Sequence, residues 1–138
     1  MTSTYVKFNC FSADVCHGLH NLNTSQDVLT VALTGSAPAA SNTILTDIHE
    51  ISYTNLSSRA MTISASSQSS GTFKLVVASL VLTASGAVGP FEWVVIYNST
   101  SGTHPLVCYF DYGSMVTLAS GETFTVTPDA ANGLFQLV

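Results

Sequence analysis

The sequence has few charged residues. Asp, Glu, Lys and Arg together make up 8% of its 138 residues, against roughly 25% of an average soluble chain. Only three residues are Lys or Arg, they are scattered along the sequence, and the net charge is −5. Proteins that bind nucleic acid need several cationic contacts with phosphates. This composition therefore excludes nucleic acid as a partner.

The sequence also lacks a long apolar run. The nearest approach is FKLVVASLVLTASGAV (73–88), which Lys74 and Ser79 interrupt and which falls short of the roughly 20 apolar residues of a membrane span. The first residues contain no continuous apolar segment, so we expect no secretory signal. No membrane association is expected. The three cysteines are then expected to be free thiols, because proteins made in a reducing cytoplasm rarely form disulfides.

Metal ligands are few. The densest group of ligand-type residues consists of Cys10, Cys16, His17 and His20. A structural zinc site needs four donors directed at one point, usually from two short-spaced pairs. Cys16 and His20 are four residues apart, but there is no second pair and Cys10 does not share their helical face. We expect no bound metal, and no cofactor.

Signatures of catalysis are missing as well. The sequence has no nucleophile elbow of the G-x-S-x-G type. Its histidines are scattered, and its only carboxylate pairs of the kind used by glycosidases are pairings that eight acids produce by chance. These histidines and pairs are His17, His20, His49 and His104, and Asp47 with Glu50 and Asp111 with Asp129. We predict that the protein is not an enzyme and has no catalytic residues.

One short helix is predicted near the start of the chain. Phe8, Phe11, Val15, Leu19 and Leu22 recur at spacings of three and four, which places them on one face of a helix. The pattern predicts an amphipathic helix over residues 8–22, after which the period of the apolar residues changes to two.

The rest of the sequence predicts strands. Alternating apolar residues or β-branched runs are separated by Gly, Pro, Ser and Asn, which favour turns. The almost wholly apolar run FEWVVIYN predicts a central strand buried on both faces. The predicted strands are 28–34, 44–52, 60–67, 72–84 (one bent strand, or two broken near Ala78), 91–98, 105–112, 122–129 and 133–138. About eight short strands in a single domain, 1–138, favour an all-β antiparallel sandwich with jelly-roll-like connections.

The C-terminal strands and turns are predicted to have a structural role rather than to form part of a site. Asn132–Gly133 is the strongest two-residue hairpin signal in the sequence. We expect Tyr112, Phe124, Leu134 and Leu137 to be core residues.

The aromatic residues allow two interpretations. Most lie inside apolar strands, which favours packing in the core, although a face of such rings also suits stacking on sugars. The set comprises Phe73, Phe91, Trp93, Tyr97, Tyr109, Phe110, Tyr112, Phe124 and Phe135.

Three long segments resemble a family of small virion structural proteins of tailed bacteriophages. They are TYVKFNCFSADVCHGLHNL (4–22), LTVALTGSAPAASNTILTDIHEIS (29–52) and the close of the chain from GPFEWVVIYN to its end (89–138). The family pattern has an N-terminal helix that contains KFNCF, a middle segment in which AP is followed by DI and then EI, and a C-terminal segment that contains DYG, GETF and NG. The chain departs from it at 53–62, where YTNLSSRAMT replaces a glycine-rich loop, so that loop is expected to differ in conformation or contacts.

The resemblance implies a capsid decoration (cement) protein, made in the cytoplasm of the bacterial host and bound to the outer surface of the phage head. Such proteins are commonly trimeric, so it implies a homotrimer whose partner is the major capsid protein. Candidate contacts with the shell are the residues before Phe8 and the polar loops 35–43 and 98–104. Two alternatives stay open: a tail, neck or baseplate component, and a carbohydrate-binding adhesin on the virion.

Overall fold

The computed structural model describes residues 3–138, and its regular secondary structure consists mainly of strands. A single α-helix and one 3-10 turn (Leu45–Asp47) accompany nine strands in this part of the chain. The elements in chain order are β1 (Thr4–Lys7), α1 (Cys10–Cys16), β2 (Leu29–Thr34), β3 (Ile63–Ser69), β4 (Thr72–Val77), β5 (Leu80–Thr83), β6 (Val88–Asn98), β7 (Leu106–Leu118), β8 (Thr123–Val126) and β9 (Phe135–Leu137).

The strands form three antiparallel sheets. The largest has the order β1-β7-β6-β2, the second β3-β4-β9, and the third pairs β5 with β8. Side chains from all three sheets meet in one main core. The prediction of an all-β, antiparallel, sandwich-like fold is therefore confirmed, and the run 72–84 forms two strands, β4 and β5, rather than one. No helix among the described residues is long and apolar enough to cross a membrane.

Strand β6 is the buried centre of the largest sheet, as its apolar sequence predicts. It lies between β7 and β2, and successive side chains point to opposite faces. Val94 and Ile96 join the main core between the sheets. Val95 and Tyr97 join a separate small core on the other face, whose buried members are Phe8, Ala32, Ile48, Val95, Tyr97 and Leu106.

The outer edge of β2 is closed by residues 51–61, although these residues form no strand of their own. Three backbone bonds join the two segments: Met61 N donates to Leu29 O at 2.8 Å, Val31 N to Arg59 O at 2.9 Å, and Ile51 N to Leu33 O at 3.0 Å. An open strand edge invites pairing with other chains. Residues 51–61 prevent this along β2.

Two side chains complete the closure of β2. Arg59 Nη1 donates to Val31 O at 2.6 Å, and the Tyr53 hydroxyl accepts from Leu33 N at 2.9 Å. The Arg59 guanidinium lies 3.7 Å from the centre of the Tyr53 ring, and the Tyr53 hydroxyl donates to Glu50 Oε1 at 2.8 Å. The backbone groups that face outward from Leu29 O to Leu33 O are thus all bonded.

The same segment is joined to the two-stranded sheet on its other side. Ser57 N donates to Thr83 O at 3.0 Å, and Ser85 N donates to Asn55 O at 2.8 Å. Residues 51–61 therefore connect the edge of the largest sheet with the edge of the β5–β8 sheet. This segment contains most of 53–62, which was expected to differ in conformation or contacts from the loop of the resembling family.

The helix is shorter than predicted. It begins at Cys10 and ends at Cys16, whereas the apolar spacing predicted 8–22. Phe8 instead continues the pairing of β1, since its N–H donates to Val107 O at 3.1 Å. Gly18 has φ +76, a left-handed conformation that ends helices. Beyond it the chain forms a loop that is anchored by side chains.

The strand predicted over 44–52 is wrong. Asp47 Oδ2 accepts from Thr43 N at 2.9 Å and Ile44 N at 3.2 Å, which bends the chain into the 3-10 turn. The alternation of isoleucines has another cause: Ile48 is buried in the small core, and Ile51 packs against the main core. Burial of these isoleucines in two different cores therefore accounts for the apolar positions of this segment without a strand.

The hairpin predicted at Asn132–Gly133 is also wrong. β8 pairs with β5 and β9 with β4, so the strands on either side of this turn lie in different sheets. Gly133 is needed instead because a Cβ there would lie 2.5 Å from Leu75 O.

The four predicted core residues have different outcomes. Leu134 is buried, and Phe124 is half-buried against the main core. Tyr112 is half-buried and contacts the Phe124 ring edge-on, with 5.2 Å between ring centres. Leu137 is 58% exposed, so its prediction is wrong, because it lies at the end of β9 opposite Phe73, where the sheet extends beyond the core.

Candidate functional site

The structure separates the cysteines and histidines near the start of the chain. The Cys10 thiol lies 3.7 Å from both Asn42 O and Thr43 O. Cys16 and His17 are exposed, whereas His20 is buried. Among residues 3–138, no group of three or more His, Cys, Asp or Glu side chains is arranged to hold a metal ion.

The thiols differ in environment. Burial, together with the neighbouring Asp14 carboxylate, raises the pKa of Cys10 to about 11. Cys108 is fully buried, and burial also raises its pKa well above the ordinary range. A thiol reacts as its thiolate, so neither cysteine is suited to act as a nucleophile. All three cysteines are free, and Cys16 is the exposed one.

The carboxylates considered for catalysis have local partners. Asp47 caps the 3-10 turn, and these backbone N–H bonds lower its pKa. Asp129 accepts from Asn132 Nδ2 and from the N–H groups of Asn132 and Ala131, which lowers its pKa in the same way. Glu50 binds the Tyr53 hydroxyl, so it belongs to the closure of β2.

Asp111 is adjacent to a second acid that the sequence pattern did not reveal. Incomplete solvation and a hydrogen bond with Asp111 raise the pKa of Glu92. The two residues lie on the neighbouring strands β6 and β7. Paired carboxylates of this kind occur in acid–base sites, but Glu92 and Asp111 do not line either of the two surface grooves.

Two grooves mark the surface of the described residues. The first has a volume of about 410 Å³ and is lined by Ser3, Val94, Phe110, Tyr112, Phe124, Thr125, Val126, Thr127 and Asp129. The second, of about 610 Å³, lies between the loop after α1 and the β3-β4-β9 sheet and is lined by Val15, His20, Leu22, Asn23, Ser66, Ser67, Gln68, Phe73, Phe135 and Leu137. Aromatic rings and hydroxyls line the first groove, and no Asp, Glu, Lys or Arg lines the second.

A buried amide anchors the loop beside the second groove. Asn98 is completely buried, and its Nδ2 lies 2.6 Å from Asp27 Oδ2 and 3.1 Å from His20 Nδ1. Its Oδ1 accepts from Thr100 N at 3.0 Å and Ser101 N at 3.2 Å. Loop 98–104 was expected to be exposed throughout, and Asn98 is an exception because it joins that loop to residues 20–27.

The two polar loops predicted to contact a partner lie beside each other. Leu106 N donates to Thr43 O and Leu45 N to His104 O, both at 3.1 Å. Within loop 35–43, Ala39 N donates to Asn42 Oδ1 at 2.8 Å. Asn9 N donates to Ala40 O at 2.9 Å, which joins the start of the chain to the same region. We call loops 35–43 and 99–104 together the polar end.

Each of the three cationic side chains bonds to the chain itself. Lys7 Nζ donates to Ser12 Oγ at 2.8 Å, Lys74 Nζ to Ala131 O at 3.0 Å, and Arg59 Nη1 to Val31 O. Two of these partners are backbone carbonyl groups. The cations therefore serve loops and sheet edges of this chain, and they are dispersed over β1, β4 and the segment that closes β2.

Sequence reasoning missed the residues with the richest polar contacts. Tyr53, Arg59 and Asn98 were not singled out, because a residue that satisfies a distant strand edge or loop has no periodic signal. The surface features that the described residues bring together are the polar end and two grooves. No family model, curated protein or solved structure matches the chain.

Proposed function

We propose that this chain is a virion structural protein of a tailed bacteriophage, and specifically a capsid decoration protein that binds the outer surface of the head. The proposal starts from the sequence resemblance over 4–22, 29–52 and 89–138. The structural observation that supports it best is the polar end, where two loops of the resembling segments lie side by side on a framework of antiparallel sheets.

The chemistry of the polar end suits binding to another protein. Its side chains offer hydroxyl and amide groups, with Ser36, Ser41, Thr100 and Thr103 exposed. Protein interfaces are depleted in charged residues relative to the remaining surface. When a partner covers such a surface, hydroxyl and amide groups that form new hydrogen bonds lose less solvation energy than charged groups would.

Reinforcement of a capsid follows from mass action. A protein that binds the assembled shell more tightly than its dissociated subunits stabilises the shell. A homotrimer would contact several major capsid proteins at once, so individually weak contacts would add through their effective concentration. We propose a closed three-fold ring in which each polar end faces the shell.

The proposal is tested with phage heads that lack the protein. Purified protein is added to these heads, which are then imaged by cryo-electron microscopy and heated to measure the temperature at which DNA is released. Density on the outer shell and a higher release temperature are expected. Density in the tail, neck or baseplate alone would contradict the assignment to the head, and a monomer at micromolar concentration would contradict the trimer.

Paired variants test the polar end. Ser41→Arg and Thr103→Arg place a charge where the shell would desolvate it, so affinity for heads should fall at least about tenfold. Ser69→Arg is the matched control, since this exposed serine ends β3 in another sheet. Equal binding by all three variants would exclude the polar end as the contact surface.

The first groove favours a second candidate, a carbohydrate-binding adhesin. Tyr112, Phe124 and Phe110 line it together with hydroxyls of Thr125 and Thr127, and sugars commonly bind against aromatic rings. A glycan array distinguishes the two functions. Binding that Tyr112→Ala abolishes would support the adhesin, whereas an array without binding, together with the protein's presence on heads, would exclude it.

A further inference from the structure

The loop from His20 to Asp27 is held to the rest of the protein by hydrogen bonds with one side chain. Among the described residues, its bonds to positions outside the loop all end on Asn98 Nδ2. The remaining bonds are internal, such as Asn21 N donating to Asp27 Oδ2 at 2.8 Å and Asp27 N donating to Asn21 O at 3.1 Å. Apart from the packing of Leu22 in the main core and of the His20 ring against Phe11, the attachment therefore depends on the state of one imidazole and one carboxylate.

The surroundings of Asn98 fix the tautomer of His20. Asn98 Oδ1 accepts from two backbone N–H groups, of Thr100 and Ser101, so Nδ2 must face His20. An amide nitrogen donates and does not accept, so His20 Nδ1 must be the acceptor. The imidazole is then neutral with its proton on Nε2, an atom that is buried and has no hydrogen-bond partner among the described residues.

We propose that His20 and Asn98 form an acid-sensitive latch. A proton taken from solvent onto His20 Nδ1 forms a new N–H bond that points at the N–H group of Asn98. The hydrogen bond between the two side chains is lost, and two donors then oppose each other. The loop then keeps only one of its two bonds to Asn98, from Nδ2 to Asp27 Oδ2, so residues 20–27 leave Asn98 more readily, and His20 and Leu22, which line one side of the second groove, move away from it.

The charged groups around His20 decide the direction of the effect. Helix α1 contributes Asp14 and the uncharged ring of Phe11, the loop contributes Asp27, and β6 contributes Asn98. The two carboxylates favour the protonated imidazole, but burial opposes it more strongly, so the pKa of His20 lies below its ordinary 6.5.

The sign of the pH dependence follows from this order. In the released loop the imidazole is solvated and its pKa returns to about 6.5. The released state then binds the proton more tightly than the latched state, so acid favours release. The latch is closed above about pH 6.5 and opens progressively below it. It operates whatever surface the protein binds.

Nuclear magnetic resonance of the histidine nitrogens tests the closed state. At about pH 7.5, where a solvated histidine is neutral, His20 should be the Nε2–H tautomer. Hydrogen exchange, corrected for the intrinsic chemical rate, tests release. The open-to-closed ratio for residues 20–27 should rise by up to about tenfold for each pH unit below 6.5, while amides of β6 stay protected. An Nδ1–H tautomer, or exchange that rises equally in β6, would overturn the latch.

Two variants that retain most of the contacts refine the test. Asp14→Asn removes a carboxylate that favours the protonated imidazole in the latched state, so the pKa of the latched His20 falls further below that of the released state and the opening profile should shift to higher pH. His17→Gln changes an exposed histidine three positions away and should leave the profile unchanged. A shift in the opposite direction for Asp14→Asn, or loss of the transition in His17→Gln, would assign the acid response to other groups.

Discussion

Removal of one hydroxyl should open the edge of β2. In Tyr53→Phe the ring can still lie beneath the Arg59 guanidinium, now 3.7 Å from the Tyr53 ring centre, but the acceptor of Leu33 N is lost. Leu33 is completely buried, and a buried donor without a partner costs about 1–3 kcal/mol. Burial raises the pKa of Tyr53 above its ordinary range, so the hydroxyl is protonated and also donates to Glu50 Oε1 at neutral pH.

The expected loss of stability is the sum of these terms. Loss of the bond from Tyr53 to Glu50, which is exposed, adds about 0.5–1 kcal/mol, so Tyr53→Phe should lower the free energy of unfolding by about 1.5–4 kcal/mol. Urea unfolding followed by Trp93 fluorescence measures this. Exchange of the Leu33 amide should become faster, because its N–H is no longer bonded.

Glu50→Gln is the matched control for this prediction. Its side-chain oxygen can still accept from the Tyr53 hydroxyl, and only the ion pair with Arg59, at 4.0 Å, is lost. Ion pairs of this kind contribute at most about 1 kcal/mol. If Tyr53→Phe unfolds within about 0.5 kcal/mol of the unmodified protein and Leu33 stays protected, side-chain closure of this edge is not what stabilises it.

Three further predictions concern a glycine, the thiols and pH. Gly133→Ala should destabilise the protein by about 2 kcal/mol more than Gly121→Ala in thermal unfolding. Both glycines have positive φ, but only at Gly133 would an added Cβ meet Leu75 O. Equal losses of stability in the two variants would contradict this steric argument. With a thiol reagent near pH 8, Cys16 should react at once, the half-buried Cys10 more slowly because its pKa is raised to about 11, and the buried Cys108 only on unfolding; reaction of Cys108 as fast as that of Cys16 would contradict its burial. As pH falls below about 6.5, the free energy of unfolding should decrease, since the pKa of His20 is lower in the folded state than in the unfolded state. A free energy of unfolding that stays constant down to about pH 5 would contradict this, because Asp47 and Asp129 titrate only at lower pH.

Strands that are buried on both faces could be predicted well. β2 and β6 lie close to the predicted 28–34 and 91–98, because a continuous apolar run in this setting has few other stable conformations. The predictions that were wrong, at 8–22 and 44–52, depended on periodicity over segments where a left-handed glycine or an aspartate side chain bends the backbone. Such bends are local chemistry that periodicity does not report.

The candidate site was predicted in part. Loops 35–43 and 98–104 were singled out from their polar composition, and the structure joins them through Thr43, Leu106 and neighbouring backbone groups. The role of Asn98 was not predictable, because its partners are 78 and 71 positions away in the sequence. Contacts over such distances depend on the order of the strands, which local patterns do not determine.

The small core divides the sequence between positions that can vary and positions that cannot. Loop 35–43 is continuous with Leu45 and Ile48, which pack beneath it on the outer face of the largest sheet. Exposed positions such as Ser36 and Ser41 can therefore change identity while Ile48 keeps the loop in place. Substitutions at these few exposed positions would therefore change which surface the loop fits, with the strands beneath it unaltered.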